Sequence, residues 1–143
     1  MSEHTLTLAQ ANRIIEAALA AARQQSYRPM AVVVLDASGH VRALQREDGA
    51  SMLRSDIATG KAWGAVGMGV SSRALGERAK TNPNFFLALA STAHGKFLPQ
   101  TGAVVIRNAA GAVLGAVGAS GGTGDEDESI CIIGIEAAGL QYG

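Results

Sequence analysis

The sequence predicts an α+β domain, a mainly antiparallel sheet with helices packed against it, in the order α-ββ-ααα-ββ-α. Three observations carry this. Two apolar runs, Met30–Leu35 and Ala103–Arg107, are each followed by a short turn and a second strand-like run, which gives hairpins in place of crossovers. The first and last segments both carry a helix-start signature, Thr7 with Gln10 and Thr123 with Glu126. With 143 residues, 48 % apolar and 17 % charged, the chain (1–143) is one domain, long enough to bury a core.

The first helix is expected over Thr5–Gln25. Leu8, Ala11, Ile15, Ala18, Leu19 and Ala22 recur at three- and four-residue spacing and form one apolar face. His4, just before it, reads as solvent-exposed. Tyr27-Arg28-Pro29 breaks the helix. Met30–Leu35 is a β-branched run of the kind buried on both faces of a sheet. Asp36-Ala37-Ser38-Gly39 is a turn, with Asp at its start and Gly where positive φ is needed. His40–Arg46 alternates as a half-buried strand, and His40 reads as an exposed strand residue in preference to a ligand.

Ser51–Met68 reads as a helix with Leu53, Ile57, Ala58, Ala62, Ala65 and Val66 as its apolar positions. Gly60 and Gly64 each cost about 1 kcal/mol of helix propensity relative to Ala. Their spacing points to close approach, either to the sheet or to a neighbouring subunit. Lys61 is the one charge in the middle of this helix. It is either a solvated surface residue or a cation turned toward a pocket, and the rarity of buried unpaired Lys favours the first.

Residues 67–72 form a joint, and Ser71 or Ser72 caps a short helix, Arg73–Lys80. Thr81-Asn82-Pro83-Asn84 breaks the chain, and Phe85–Ala93 is a short apolar helix covering the edge of the core. A loop over 94–102 leads to the strand Ala103–Arg107, the turn 108–111 and its partner Ala112–Ala119. Ser120-Gly121-Gly122-Thr123-Gly124 then turns into a closing helix that runs to Gly139. A helix N-terminus can hold an anion. Here Asp125, Glu126, Asp127 and Glu128 already supply negative charge, so a cap at a strand-to-helix corner is favoured over a ligand loop.

Composition excludes several function classes. Twelve basic and twelve acidic residues cancel with no basic block, which argues against nucleic-acid and anionic-membrane partners. Aromatic content of 4 % argues against a stacking platform for single strands. The one cysteine, Cys131, excludes an internal disulfide and a Cys-based zinc cluster, and its apolar neighbours predict a buried inert thiol. No basic stretch leads into an apolar run at the N-terminus and no run is of membrane length, so a cytoplasmic protein is expected.

Four short patterns occur in order: Asp36 with Gly39; Arg46, Asp48, Gly49 and Ala50; Asp56, Ala58, Lys61 and Ala62; and Gly115, Gly118, Ser120, Gly121 and Gly122. Together they resemble the GlcG/HbpS-like family, also described as haem-degrading or DUF336 domains and similar to the C-terminal domain of PduO-type proteins. The resemblance covers nearly the whole chain. It implies a profilin-like fold with a five-stranded-type sheet, assembly into a homo-oligomer, often an octamer, and in some relatives haem binding or redox sensing. The family pattern also has a Gly-Gly-x-Pro segment before the third strand. Here Gln100-Thr101-Gly102 stands in its place, in a stretch expected to border the pocket.

Two functions from different classes follow. The first is a small-molecule-binding protein with haem as its leading ligand. Haem needs an axial ligand and an apolar slot. His94, beside the apolar FFLALA segment, is the best placed of the three histidines, against the plainer reading of a loop residue without a ligand role. Met30, Met52 and Met68 read as core fillers. The second is a small cofactor-independent enzyme or catabolic accessory protein acting on an organic acid or aromatic metabolite. Arg46 and Lys61 would fix an anionic oxygen, and Asp48 or Asp56 would act as base beside the Ser120-Gly121-Gly122 turn. An ion-pair network at a subunit interface would gather the same charges. An assembly with no chemistry of its own is the third reading.

Overall fold

Five helices and five strands follow one another in a computed structural model that describes residues 5–143. They are α1 Leu8–Gln24, β1 Ala31–Asp36, β2 Val41–Arg46, α2 Met52–Met68, α3 Ser72–Thr81, α4 Pro83–Thr92, β3 Ala103–Arg107, β4 Val113–Ser120, α5 Gly124–Ala137 and β5 Gln141–Tyr142. His4 lies outside the described residues. Among the described residues no helix is long and apolar enough to cross a membrane.

Both capping boxes form. Thr7 and Gln10 close the start of α1, and Thr123 and Glu126 that of α5. Ser71, not Ser72, caps α3; the Ser72 hydroxyl is buried and accepts from the Ala103 N–H at 2.8 Å. In the first hairpin turn the Asp36 carboxylate accepts from the Ser38 and His40 N–H groups, with Gly39 at φ 81°.

The sheet runs β2-β1-β4-β3-β5, every neighbour antiparallel. The two hairpins join through β1 and β4, with Ala31 opposite Ser120 and Asp36 opposite Gly115. β5 is a two-residue strand beside Ile106 and Arg107, too short to show a period.

α1 and α5 cover one face of the sheet, where Ile14, Ile15, Ile130 and Ile135 pack with Met30, Val32, Val34 and Val117. The buried stripe of α1 is Ala11, Ile14, Ile15, Ala18, Ala21 and Ala22, so the expected face is rotated slightly: Leu8 is outside it and Ile14 inside. α2 covers the other face with Ala58, Ala62 and Ala65 against Val33, Leu35, Val105 and Ala116. Alanines bring the helix close. At Gly118 of β4 a side chain would collide with the Ala58 carbonyl and the Ala62 methyl.

Gly60 and Gly64 do not serve that contact. They admit the 96–98 segment: a Cβ at either would lie 3.1 Å from Leu98 or from the Phe97 ring. α3 and α4 add a satellite cluster of Leu75, Phe86, Ala93 and Phe97. α4 buries only Phe86 and leaves Phe85 and Leu87 exposed. Met30 is a core residue, but Met52 and Met68 are on the surface, contrary to their reading as core fillers, because both sit at the ends of α2 beyond the reach of the sheet.

Candidate functional site

Three depressions hold the charged residues that the sequence singled out. The largest, about 670 Å³, lies between α2, the β4–α5 turn and the segment 98–101. Arg54, Ile57 and Lys61 reach it from one stripe of α2, at helical spacing. Ser120 and Gly122 come from the turn, and Gln100 and Thr101 from the segment where the family's glycine pair is missing, which therefore borders the cleft as expected.

Lys61 is buried, contrary to the favoured reading of a solvated residue. Its Nζ stands 3.1 Å from Asp127 Oδ2 and donates at 3.1 Å to the Ala119 carbonyl, with 5 % of the residue exposed. The partner that makes burial tolerable sits on α5, 66 residues away in sequence. The other oxygen of Asp127 accepts from the Gly122 N–H at 2.9 Å. One carboxylate therefore holds the ammonium and the glycine turn together. Burial pushes the Asp127 carboxyl above the usual range, while Lys61, the Gly122 N–H and Arg54 pull it back. Gly102 leaves the ammonium room, since a Cβ there would lie 2.6 Å from Nζ. Next to this pair, Cys131 is fully buried and donates to the Gly102 carbonyl at 3.5 Å. Burial raises its thiol, so it is an inert core residue, as read from the sequence.

Arg54 was not singled out by sequence. Its Nη1 donates to Ser120 Oγ at 3.3 Å. The signal was present, two helical turns before Lys61 on the same stripe. The acidic run on α5 is otherwise engaged. Glu126 closes the cap, and Arg73 of α3 binds Glu128 at 3.1 Å and also Asp125.

The expected convergence of Arg46, Asp48, Asp56 and Lys61 in one pocket does not occur. Arg46 and Asp48 line a separate depression with Arg23, Pro29 and Glu47. Arg46 and Ser120 both stand opposite Ala31 in the sheet, but the Arg46 guanidinium donates to the Ala50 carbonyl beside its own strand end. Glu47 bridges Arg23 at 3.0 Å and accepts from the Met30 N–H, ties that fasten α1 to the sheet. Gly121 lines a further depression, of about 490 Å³, with Tyr27 and Arg54.

Asp56 lines a third depression, a groove of about 430 Å³, with Gly39, Thr59, Trp63, Gly95 and Lys96. Lys96 Nζ stands 5.9 Å from the centroid of the Trp63 ring, within cation–π range. His94 immediately precedes Gly95 at its rim, and both residues are left-handed, at φ 56° and 75°. His94 is exposed, and among the described residues its imidazole has no hydrogen bond or ion pair. His40, next to Gly39, is exposed as expected. Among the described residues no group of three His, Cys, Asp or Glu is placed to hold a metal ion.

A profile of the family described as "Haem degrading protein HbpS-like" matches residues 6–136. The chain belongs to the HbpS-like family. Solved structures agree. A PduOC–haem complex superimposes with a TM-score of 0.86 at 26 % identity, over 96 % of this chain and 97 % of that one. A double mutant of HbpS from Streptomyces reticuli gives 0.80 at 28 %, over 92 % and 86 %. Protein ORFY of Klebsiella pneumoniae, a DUF336 protein, gives 0.84 at 24 %, over 94 % and 90 %, and speaks to the fold alone. No curated protein sequence matches the chain significantly. The HbpS-like assignment and the haem complex of its relative support a haem-related binding role at the level of the family.

Proposed function

We propose that this protein binds haem in the groove beside Trp63, with His94 as the iron ligand. The ligand is supported by the HbpS-like family and by the PduOC relative solved as a haem complex. The placement rests on one observation: His94, exposed and with an unengaged imidazole among the described residues, adjoins Gly95 of the groove walled by Trp63. The residues there fit the group. Haem needs an axial ligand and an apolar wall, and a nearby cation suits its propionates. His94 offers the first, the Trp63 indole the second and the Lys96 ammonium the third. Bound there, haem would supply redox-active iron. His94 would hold that iron, and Trp63 would keep water from one ring face.

Titration of the purified protein with hemin, followed by absorbance, tests this. The expected result is a saturable Soret shift at fixed stoichiometry, abolished in His94→Ala and retained in His40→Ala. Absence of saturation, or an unchanged titration in His94→Ala, would sink the proposal.

A further inference from the structure

We infer that the cleft between α2, the β4–α5 turn and residues 98–101 is a carboxylate-binding site anchored by Arg54, separate in space from the Trp63 groove and argued without the haem reading. The charges of the cleft fall into pairs until one is left. Lys61 is matched by Asp127 at 3.1 Å. Asp125 is held by Arg73. Arg54 lines the cleft half-buried; it acts on the Asp127 carboxylate only from beyond ion-pair distance, and among the described residues no carboxylate forms an ion pair with it. Among the described residues its one side-chain hydrogen bond goes to the neutral hydroxyl of Ser120, a residue 1 % exposed. A guanidinium carries five N–H donors in a planar fork that matches a carboxylate, so most of this fork remains available to a ligand.

The N-terminus of α5 is not the anchor. Thr123 and Glu126 close it reciprocally, and Asp127 takes the Gly122 N–H. The rest of the lining describes the ligand's body. Ile57 and Leu98 offer apolar contact, and Gln100 and Thr101 offer polar groups. This suits a small organic acid with one carboxylate on an apolar frame. Lys61 stays a structural cation, because its ammonium is already shared between Asp127 and the Ala119 carbonyl.

The shared chemistry is a carboxylate, and two sources carry it, a free small acid or the propionate edge of a porphyrin. The test uses sodium benzoate as probe and benzamide as its uncharged counterpart, followed by calorimetry and by amide chemical shifts. Benzoate should bind saturably, shift the amides of residues 120–122, and bind at least tenfold more weakly to Arg54→Gln. Arg54→Lys should recover part of the affinity, Arg13→Gln on the outer face of α1 should leave it unchanged, and benzamide should not bind. Non-saturable benzoate shifts, equal binding by Arg54→Gln, or equal binding of benzamide would overturn the inference. Hemin titration of Arg54→Gln separates the sources. An unchanged Soret titration assigns the cleft to a free acid. Parallel loss of benzoate and hemin keeps the carboxylate site, assigns it to the propionates, and removes haem from the Trp63 groove.

Discussion

At the scale of single residues, Lys61 and Asp127 decide the interior of the cleft. The Asp127 carboxyl is raised by burial above its unfolded value of about 3.9, so the native state holds its proton longer than the unfolded chain does. Its contribution to stability is therefore full below that value and declines as pH rises through the folded value. Lys61 opposes this by favouring the carboxylate. Lys61→Met removes the opposing charge, raises the carboxyl further and steepens the decline. The gap between variant and parent should widen as pH rises, with the variant about 3 kcal/mol or more below the parent at pH 8, the cost of breaking a buried pair. Urea midpoints across that range check this, and a gap that is constant with pH would refute it. The pair was not legible in the sequence because α2 alone shows only a lysine between alanines, and the acidic run on α5 offers four interchangeable candidates. Arg54 was missed for a related reason: a charge in the first turns of a helix looks like an ordinary solvated one.

At the scale of elements, sequence was most informative where a local rule suffices. Capping boxes, the Asp36 turn and the hairpin spacing involve residues within a few positions of one another, and all formed. Pairing at a distance was less visible. Gly60 and Gly64 announced a close approach correctly, but its partner is the 96–98 segment, and the approach of α2 to the sheet is made by Gly118. This separates glycines by what surrounds them. Gly118→Ala should lower stability by about 1–3 kcal/mol, because the added methyl meets helix backbone that cannot yield. Gly67→Ala, also on α2 but with nothing within 4 Å, should raise it by about 0.5–1 kcal/mol. Thermal melts of the two variants check both signs.

At the scale of the whole molecule, four weak motifs in the right order identified the fold that no one of them could, and the five-stranded antiparallel sheet follows. The distribution of charges over three depressions was beyond reach, since it depends on where each strand ends. The surface leaves apolar side chains together in chain order, Val41 and Leu44 on the edge strand β2 and Met52 and Leu53 at the start of α2, each more than a third exposed. Edge strands with such residues invite pairing with another chain. The protein is expected to run as a homo-oligomer in light scattering, and Met52→Glu with Leu53→Glu should shift it to smaller species; a wild-type monomer would refute this. The alanine seam of α2 has a longer-term consequence. On the α1 and α5 side, isoleucines can trade volume with their neighbours over many substitutions. On the α2 side, the helix residues are already nearly as small as side chains come, so almost every change is growth, and growth pushes the helix off the sheet. The half of the molecule that carries the cleft therefore has the narrower room for drift, and variants of this chain should diverge first on its far face.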